Sequence, residues 1–400
     1  MAYDVTIVGA GIVGLSTAYK LSLAKPDWKI LVLEKEDEVA THQTGRNSGV
    51  IHSGIYYKPG SYRARNCVDG RLQLIDFCKE YGVAYDICGK VIVAVDDKEL
   101  PRLDAIYERG KKNGLDEISV IDREQLLEVE PHCAGIKAIH VPYTGIVDFR
   151  GVCRQLKRLL EEREGEVVFN QEVRDIRNDR TGLHVMTRDT TYESRYLINC
   201  AGLQCDRVAQ LAGYNPQIEI VPFRGEYYKL TKEAEHLVKT LIYPLPNPEF
   251  PFLGVHFTTM VLGGVECGPN AVFAFKREGY DKLSFDARDT AEALLYPGFW
   301  KLAGKHWRMG LNEWRRSLSK QAFLEGLQNL IPGLKYEDIE PAPAGVRAMA
   351  LTRKGEIVDD FSFVADGREI HVLNAPSPAA TAGLAIGDEI VRRAVEQFSV

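Results

Sequence analysis

Three features at the start of the chain predict an α/β fold built on a parallel sheet. Val5-Thr6-Ile7-Val8 is an apolar run of strand length, and Gly9-Ala10-Gly11-Ile12-Val13-Gly14 is a glycine-rich turn opening the helix-like stretch Leu15 to Leu23. A second apolar run, Ile30-Leu31-Val32-Leu33, then closes on Glu34. In this strand–turn–helix setting each glycine has its own task. Gly9 permits the turn, Gly11 lets backbone approach a pyrophosphate, and Gly14 lets the helix pack on the strand. Phosphates would meet unpaired N–H groups at the positive end of the helix. Glu34 is placed to accept hydrogen bonds from ribose hydroxyls. The predicted dinucleotide contacts are therefore Gly9, Gly11, Ile12, Val13, Gly14 and Glu34, with Lys35 beside them.

At 400 residues and 45% hydrophobic content, the chain has material for two fused domains with separate cores. A net charge of −6 and a pI near 5.9 argue against a nucleic-acid partner. No stretch approaches the roughly 20 apolar residues that span a bilayer. The first strand begins at once, without a basic segment or cleavage site, so a cytoplasmic protein is expected. The eight cysteines, at 67, 78, 88, 133, 153, 200, 205 and 267, include no Cys-x-x-Cys pair. Reduced thiols fit that scatter better than disulfides, and no metal site is expected.

Beyond Glu34 comes a polar, glycine-rich stretch from Thr41 to Gly54, where a plain nicotinamide dehydrogenase would show another strand–helix repeat. Residues 63–81 read as a helix, Lys90 to Val95 as a strand, and 97–113 and 151–163 as helices, the last with Val152, Leu156, Leu159 and Leu160 on one stripe. Strands follow at 167–169, at 172–176 (which carries Val173) and at 183–187, with a turn at 179–182. Tyr196-Leu197-Ile198-Asn199 is a buried strand ending in Cys200, Ala201 and Gly202, whose small size lets backbone come close to a cofactor. A helix is expected at 206–212, strands with proline turns and one helical block over 217–340, a strand at 369–376, and a last helix from Thr381 to Gln397.

The opening fingerprint serves FAD and NAD alike; two later features favour FAD. Thr44, Gly45, Arg46, Asn47, Ser48 and Gly49 are dense in donors suited to a pyrophosphate and an isoalloxazine edge. The loop with Pro376, Ser377, Ala379, Ala380 and Thr381 runs into a helix whose N-terminus would stabilise an anionic reduced ring. The predicted architecture is an α/β, Rossmann-like FAD-binding domain interleaved with an α+β substrate domain carrying a mixed or antiparallel sheet. Segments 1–85, 148–215 and 341–400 form the first domain, and segments 86–147 and 216–340 form the second.

The chain resembles the FAD-dependent L-2-hydroxyglutarate dehydrogenase/oxidase family, within the D-amino-acid-oxidase-like flavoproteins. The similarity runs end to end. Its carriers include His42-Gln43-Thr44-Gly45, Asn47 to Gly54, Tyr56-Tyr57-Lys58-Pro59, Pro222 to Tyr227, Pro251 to His256, Gly268 to Ala271, Phe275 to Tyr280, Pro343 to Ala348 and Asn374 to Thr381. Arg46 departs from the histidine frequent in that family. The resemblance implies oxidation of (S)-2-hydroxyglutarate to 2-oxoglutarate, with electrons passing from FAD to a quinone or oxygen.

Such chemistry moves a hydride from the carbinol carbon to flavin N5 while a base takes the hydroxyl proton, a task suited to histidine. Two histidines stand in motif contexts: His256 on a substrate-domain strand, slightly preferred as the base, and His52 after the glycine-rich loop, a candidate to orient the flavin or to serve as the base instead. The substrate is a small dicarboxylate, so several cations are needed, and arginine offers a planar fork that matches a carboxylate. Arg224, Lys276, Arg277 and Arg347 sit in the matched motifs, with Arg347 placed nearest the substrate carboxylate. Tyr57 and Tyr227 are candidates to donate hydrogen bonds or to pack.

Trp300, Trp307 and Trp314 recur at sevenfold spacing behind Pro297, interleaved with Lys301, Lys305, Arg308, Arg315 and Arg316. That stripe suits either a core or subunit contact or a helix lying peripherally on the inner face of the cell membrane. Gly304 and Gly310 argue against one continuous helix. Rival activities on the same fold are a flavin amino-acid (amine) oxidase and a glycerol-3-phosphate-type dehydrogenase. A flavoprotein partner in RNA modification is disfavoured by the acidic pI.

Overall fold

The computed structural model describes residues 2–180, 182–246 and 254–398. Thr181 of the expected turn, and Pro251, Phe252 and Leu253 of the motif ending at His256, lie outside the described residues.

The first strand, Tyr3–Val8, runs parallel to Ile30–Leu33 on one side and to Thr191–Asn199 on the other. Glu166–Val168 and Glu369–Asn374 extend the sheet at either end, again in parallel register. Ile30–Leu33, the end of Tyr3–Val8 and the end of Thr191–Asn199 are buried on both faces, which suits their apolar runs. Side chains alternate between the faces. Val5, Ile7, Ile30, Val32 and Ile198 meet one core with the helices Ile12–Ala24, Phe149–Glu161 and Gly383–Gln397. Leu31, Leu33 and Leu197 meet a second, with Leu183 and Val185.

A second sheet is built around Ile218–Leu230, which pairs antiparallel with Ile339–Thr352 along nearly its whole length, with a register shift between Gly225 and Tyr227. The sheet continues through Val265–Gly268, His256–Thr259 and Leu241–Pro244 to Lys90–Ala94, Lys137–Val141 and Ser119–Asp122. Leu241–Pro244 pairs with Lys90–Ala94 in parallel, so the sheet is mixed. Beneath it Val91, Val93, Phe257 and Cys267 pack on Phe323, Leu327 and Leu330.

Several expectations shift. Residues 341–352 belong to the second sheet and not to the cofactor segment 341–400, because their partner strand lies far away in sequence. The strand expected at 172–176 begins only at Asp175. Asn170 takes a φ of 57°, and the N–H groups of Asn170 and Gln171 bond to the Glu36 and Glu34 carbonyls, turning the chain aside. The final helix starts at Gly383, since the residues before it are held in turns closed by Ala379 N–H on the Pro376 carbonyl and Ala382 N–H on the Pro378 carbonyl. The tryptophans lie on one helix, Pro297–Leu318, which is interrupted at His306 by a non-helical φ of −119°. Trp300 and Trp307 are exposed, whereas Trp314 packs against Phe275.

Candidate active site

A cavity of about 1080 Å³ runs between the two sheets, from Gly9 and Glu34 at one end to Tyr227 and His256 at the other. Its first end is the glycine turn. Gly9 has a φ of +104°, and a Cβ there would fall 2.6 Å from the Cys200 carbonyl oxygen. A Cβ on Gly14 would come within 2.0 Å of the Gly9 oxygen, so helix and turn meet only through glycine. The helix Ile12–Ala24 opens with neither a side-chain cap nor an acid in its first turn, leaving its positive end available to an anion. Ile12 N–H donates to Thr44 Oγ1 at 3.1 Å. Glu34 is buried and accepts from the N–H groups of Ala10 and Glu36, at 2.7 and 3.0 Å. Lys35 pairs with Glu36 and, at 2.9 Å, with Glu278, joining the two halves of the chain over the cavity.

The 44–49 loop forms part of the wall through Thr44, Arg46, Asn47 and Ser48, whereas Gly14, Gly45 and Gly49, expected as cofactor contacts, do not line the cavity. Asn47 holds the loop together: its Nδ2 donates to the Gln43 and Thr44 carbonyls, and its Oδ1 accepts from Gly49 N–H. Arg46 donates to the Thr41 carbonyl and lies 3.9 Å over the Tyr280 ring. Gly345 of the second sheet passes this loop so closely that a Cβ would sit 2.1 Å from the Arg46 carbonyl oxygen. Val173, Cys200, Ala201 and Gly202 line one flank, and Pro376, Ser377, Ala379, Ala380 and Thr381 the other. Thr381 Oγ1 donates to the Val50 carbonyl and accepts from His52 N–H, both at 3.1 Å, so the last loop is tied to the strand leading into His52.

At the far end the structure brings together His52, Tyr57, Tyr227, His256 and Arg347. His256 Nδ1 lies 2.9 Å from the Gly254 carbonyl. A carbonyl only accepts, so Nδ1 carries the proton and Nε2 keeps its lone pair. Burial, then the Lys90, His256, Arg63 and Arg347 charges, lower His52 to about 3. Burial also lowers His256 to about 3, with Arg347 and Lys90 assisting and the Gly254 bond opposing. Both imidazoles are thus neutral, and able to accept a proton, at pH 7. Burial raises the Tyr227 phenol to about 12 and Tyr57 still further, so both are donors. Arg347 is half-buried at the wall.

Sequence reasoning missed Tyr56, Arg63, Arg109 and Tyr243, which also line this end. Arg63 lies 4.7 Å over the Tyr57 ring, bonds to the Ser377 carbonyl at 3.0 Å and pairs with the exposed Asp359 carboxylate. Arg109 donates to the Tyr56 carbonyl at 3.0 Å. Nothing in the sequence around Arg63 and Arg109 separates them from ordinary basic residues on helical faces.

Three expected substrate contacts are corrected. Arg224 is buried against Glu226, at 2.9 Å, and the Asp281 carbonyl. Gly225 and Tyr227 reach the cavity, and Arg224 and Glu226, at the alternate positions of the same strand, do not. Arg277 is 1% exposed and holds both oxygens of Asp206, with Glu219 at 2.9 Å. Lys276 is absent from the cavity wall. The first two arginines satisfy buried carboxylates, the ordinary role of a buried cation.

A glycine turn set against an uncapped helix, a buried ribose-level acid and a long cavity reaching a reactive chamber make up the outline of a flavoprotein oxidoreductase. The chain belongs to the FAD dependent oxidoreductase family, whose pattern matches residues 4–393. Relatives named L-2-hydroxyglutarate dehydrogenase are 48% identical in Indibacter alkaliphilus, over 100% of both chains, and 45% identical in Escherichia coli, over 98% of this chain and 93% of the other. The mitochondrial protein of that name from Bos taurus is 45% identical over 100% of this chain and 90% of its own. Among solved structures, L-alpha-glycerophosphate oxidase from Mycoplasma pneumoniae with FAD bound superposes with a TM-score of 0.79 at 22% identity, covering 98% of this chain and 94% of that one. Glycine oxidase from Geobacillus kaustophilus follows at 0.73 and 16%, covering 98% and 95%. These two establish the shared fold. FAD fits the residues present: the Gly9 and Gly14 approaches leave no room for a Cβ, and the helix opens with no acid in its first turn, a neutral hydroxyl, Thr44 Oγ1, being the side-chain oxygen on Ile12 N–H.

Proposed function

We propose that this protein oxidises L-2-hydroxyglutarate, the (S) enantiomer, to 2-oxoglutarate. The observation that carries this reading is the chamber, where two neutral histidines share a wall with Arg63, Arg109 and Arg347. Arginine recognises carboxylates by paired hydrogen bonds that strengthen when water is excluded. The relatives' names point to the same substrate.

Bound FAD supplies the hydride acceptor. Arg347 binds the carboxylate next to the carbinol, and His256 Nε2 takes the hydroxyl proton, its ring fixed by the Gly254 carbonyl. His52, anchored through its N–H to Thr381, orients the carbinol from the other side. Tyr57 and Tyr227 donate hydrogen bonds, and Gly9, Gly11, Ile12, Val13, Thr44 and Ser48 contact the dinucleotide. Anaerobic mixing with L-2-hydroxyglutarate is expected to bleach the visible flavin band. Bleaching by an amino acid or by glycerol 3-phosphate, with none by the diacid, would replace this reading with one of its rivals.

Electrons leave to a quinone or to oxygen. Exposed Trp300, Trp307, Leu311 and Leu318 share a stripe among basic residues, which supports a peripheral contact with the inner face of a cell membrane. Among the described residues no helix is long and apolar enough to cross a membrane. Flotation with anionic vesicles tests the contact: the parent protein should rise and the Trp300→Ala/Trp307→Ala variant should not. Absence of lipid-dependent recovery of the parent would end the idea.

A further inference from the structure

We infer that Lys90 is a specificity-determining residue: its ammonium, clasped between the rings of Tyr56 and Tyr243, supplies the positive charge that the second carboxylate of a dicarboxylate requires. This rests on the diacid reading above and extends it to a residue that sequence reasoning left as an ordinary strand end. Lys90 opens the strand Lys90–Ala94 and is 1% exposed. Its Nζ lies 4.7 Å from both ring centroids; both tyrosines line the cavity, and Lys90, which does not line it, faces the ligand's charge through their rings.

Of the other buried cations, Arg71 lies 4.6 Å over the Tyr143 ring with its Nε and Nη1 unpartnered among the described residues. Arg224 and Arg277 each hold a carboxylate at hydrogen-bond distance. For Lys90, no hydrogen bond or ion pair is found among the described residues. Two tyrosine faces offset part of the desolvation of an ammonium, but a buried charge without a counter-ion is costly. A second orphan adjoins it, because the Tyr56 hydroxyl is buried with no partner. The ionisable groups around Lys90 are Cys67 on the helix Tyr62–Tyr81, His52 beyond Val50–Ile51, His256 on His256–Thr259, and the two tyrosines. Arg63 and Arg347 add positive charge to the same chamber. Among the described residues no carboxylate pairs with Lys90, and Asp359, which lines the cavity, is already held by Arg63, so the missing anion comes with the ligand. Burial lowers Lys90 to about 7, and an arriving anion would draw a proton onto it.

The test uses the FAD-loaded protein and two ligands that cannot be oxidised: glutarate, with two carboxylates, and butyrate, with one. Calorimetric titration gives affinity and, by comparing buffers of different ionisation heat, proton uptake. Lys90→Met is expected to weaken glutarate about 10- to 100-fold, the range for a charge pair several Å apart at an effective dielectric near 20, and to change butyrate less than about threefold. Wild-type glutarate binding should take up a proton above pH 7, and Lys90→Met should not. Equal losses for both ligands, or unchanged discrimination, overturn the inference. Should Lys90→Met fail to fold, the wild-type protein decides: parallel pH profiles for the two ligands, with no proton uptake, refute the assignment. Failure of L-2-hydroxyglutarate to bleach the flavin while glutarate binding still depends on Lys90 would sink the substrate reading alone.

Discussion

Replacing Arg277 with alanine separates a structural cation from a substrate contact. Its guanidinium occupies a pocket with 1% exposure, bonding to both oxygens of Asp206, to Glu219 at 2.9 Å and to the Leu203 carbonyl at 2.9 Å. Alanine leaves Asp206, itself fully buried, without its counter-ion. Removing one member of such a pair typically costs about 3–5 kcal/mol. Asp206 keeps two backbone donors, Arg207 N–H at 2.8 Å and Ile220 N–H at 2.9 Å, which place the loss near the lower figure. A melting temperature lower by several degrees is therefore expected, with KM for the diacid within about twofold of the parent in the surviving folded protein. Adding Asp206→Asn should recover part of the loss, because the unpaired charge is then gone. Thermal melts and steady-state kinetics on the two variants settle the matter. A tenfold or greater rise in KM with an unchanged melting temperature would return Arg277 to the substrate site and refute the reasoning.

Arg347→Ala should raise KM or abolish turnover while the flavin-to-protein absorbance ratio stays constant; kinetics like those of the parent would remove Arg347 from the site. His256→Asn should lower kcat by about 10²–10⁴-fold, with glutarate affinity within a few-fold of the parent, and a smaller loss of kcat than His52→Asn would move the base to His52. Both histidines have folded values lowered to about 3 from 6.5, so the stability they lend is full above 6.5 and drains as pH falls toward 3. The melting temperature should decline with acidification across that window, and His256→Asn should flatten the slope. Gly345→Val places its Cβ 2.1 Å from the Arg46 carbonyl oxygen, a clash of backbone that no rotamer relieves. Purified Gly345→Val should carry less FAD than the parent, as read from its visible absorbance; full loading would show that the loop can yield.

Legibility in the sequence followed the range of the forces involved. The nucleotide end was readable because its requirements are local: Gly9, Gly11 and Gly14 answer to one turn, and Glu34 stands one strand–helix–strand unit away. The helices at 62–81 and 149–161 were likewise visible within a residue or two. The boundary at 341 was not, since Ile339–Thr352 is defined by pairing with Ile218–Leu230, a partner that periodicity within the segment cannot identify. Arg224 and Arg277 looked like substrate cations because motif membership says nothing of which face of a strand a side chain takes. The register of that strand turns Arg224 toward Glu226, and the packing of Asp206 claims Arg277.

From its own residues the chain determined a dinucleotide turn, an α/β plan and a flavin, because backbone geometry at glycine and apolar periodicity act over a few residues. The tertiary structure alone decided which charges meet. Asp206 and Glu219, drawn from distant segments, neutralised Arg277, the strand's register set Glu226 against Arg224, and Lys90 was buried between two aromatic rings with no ion pair among the described residues. Coulomb energy and desolvation depend on distances that folding creates, and neighbours in sequence do not record them.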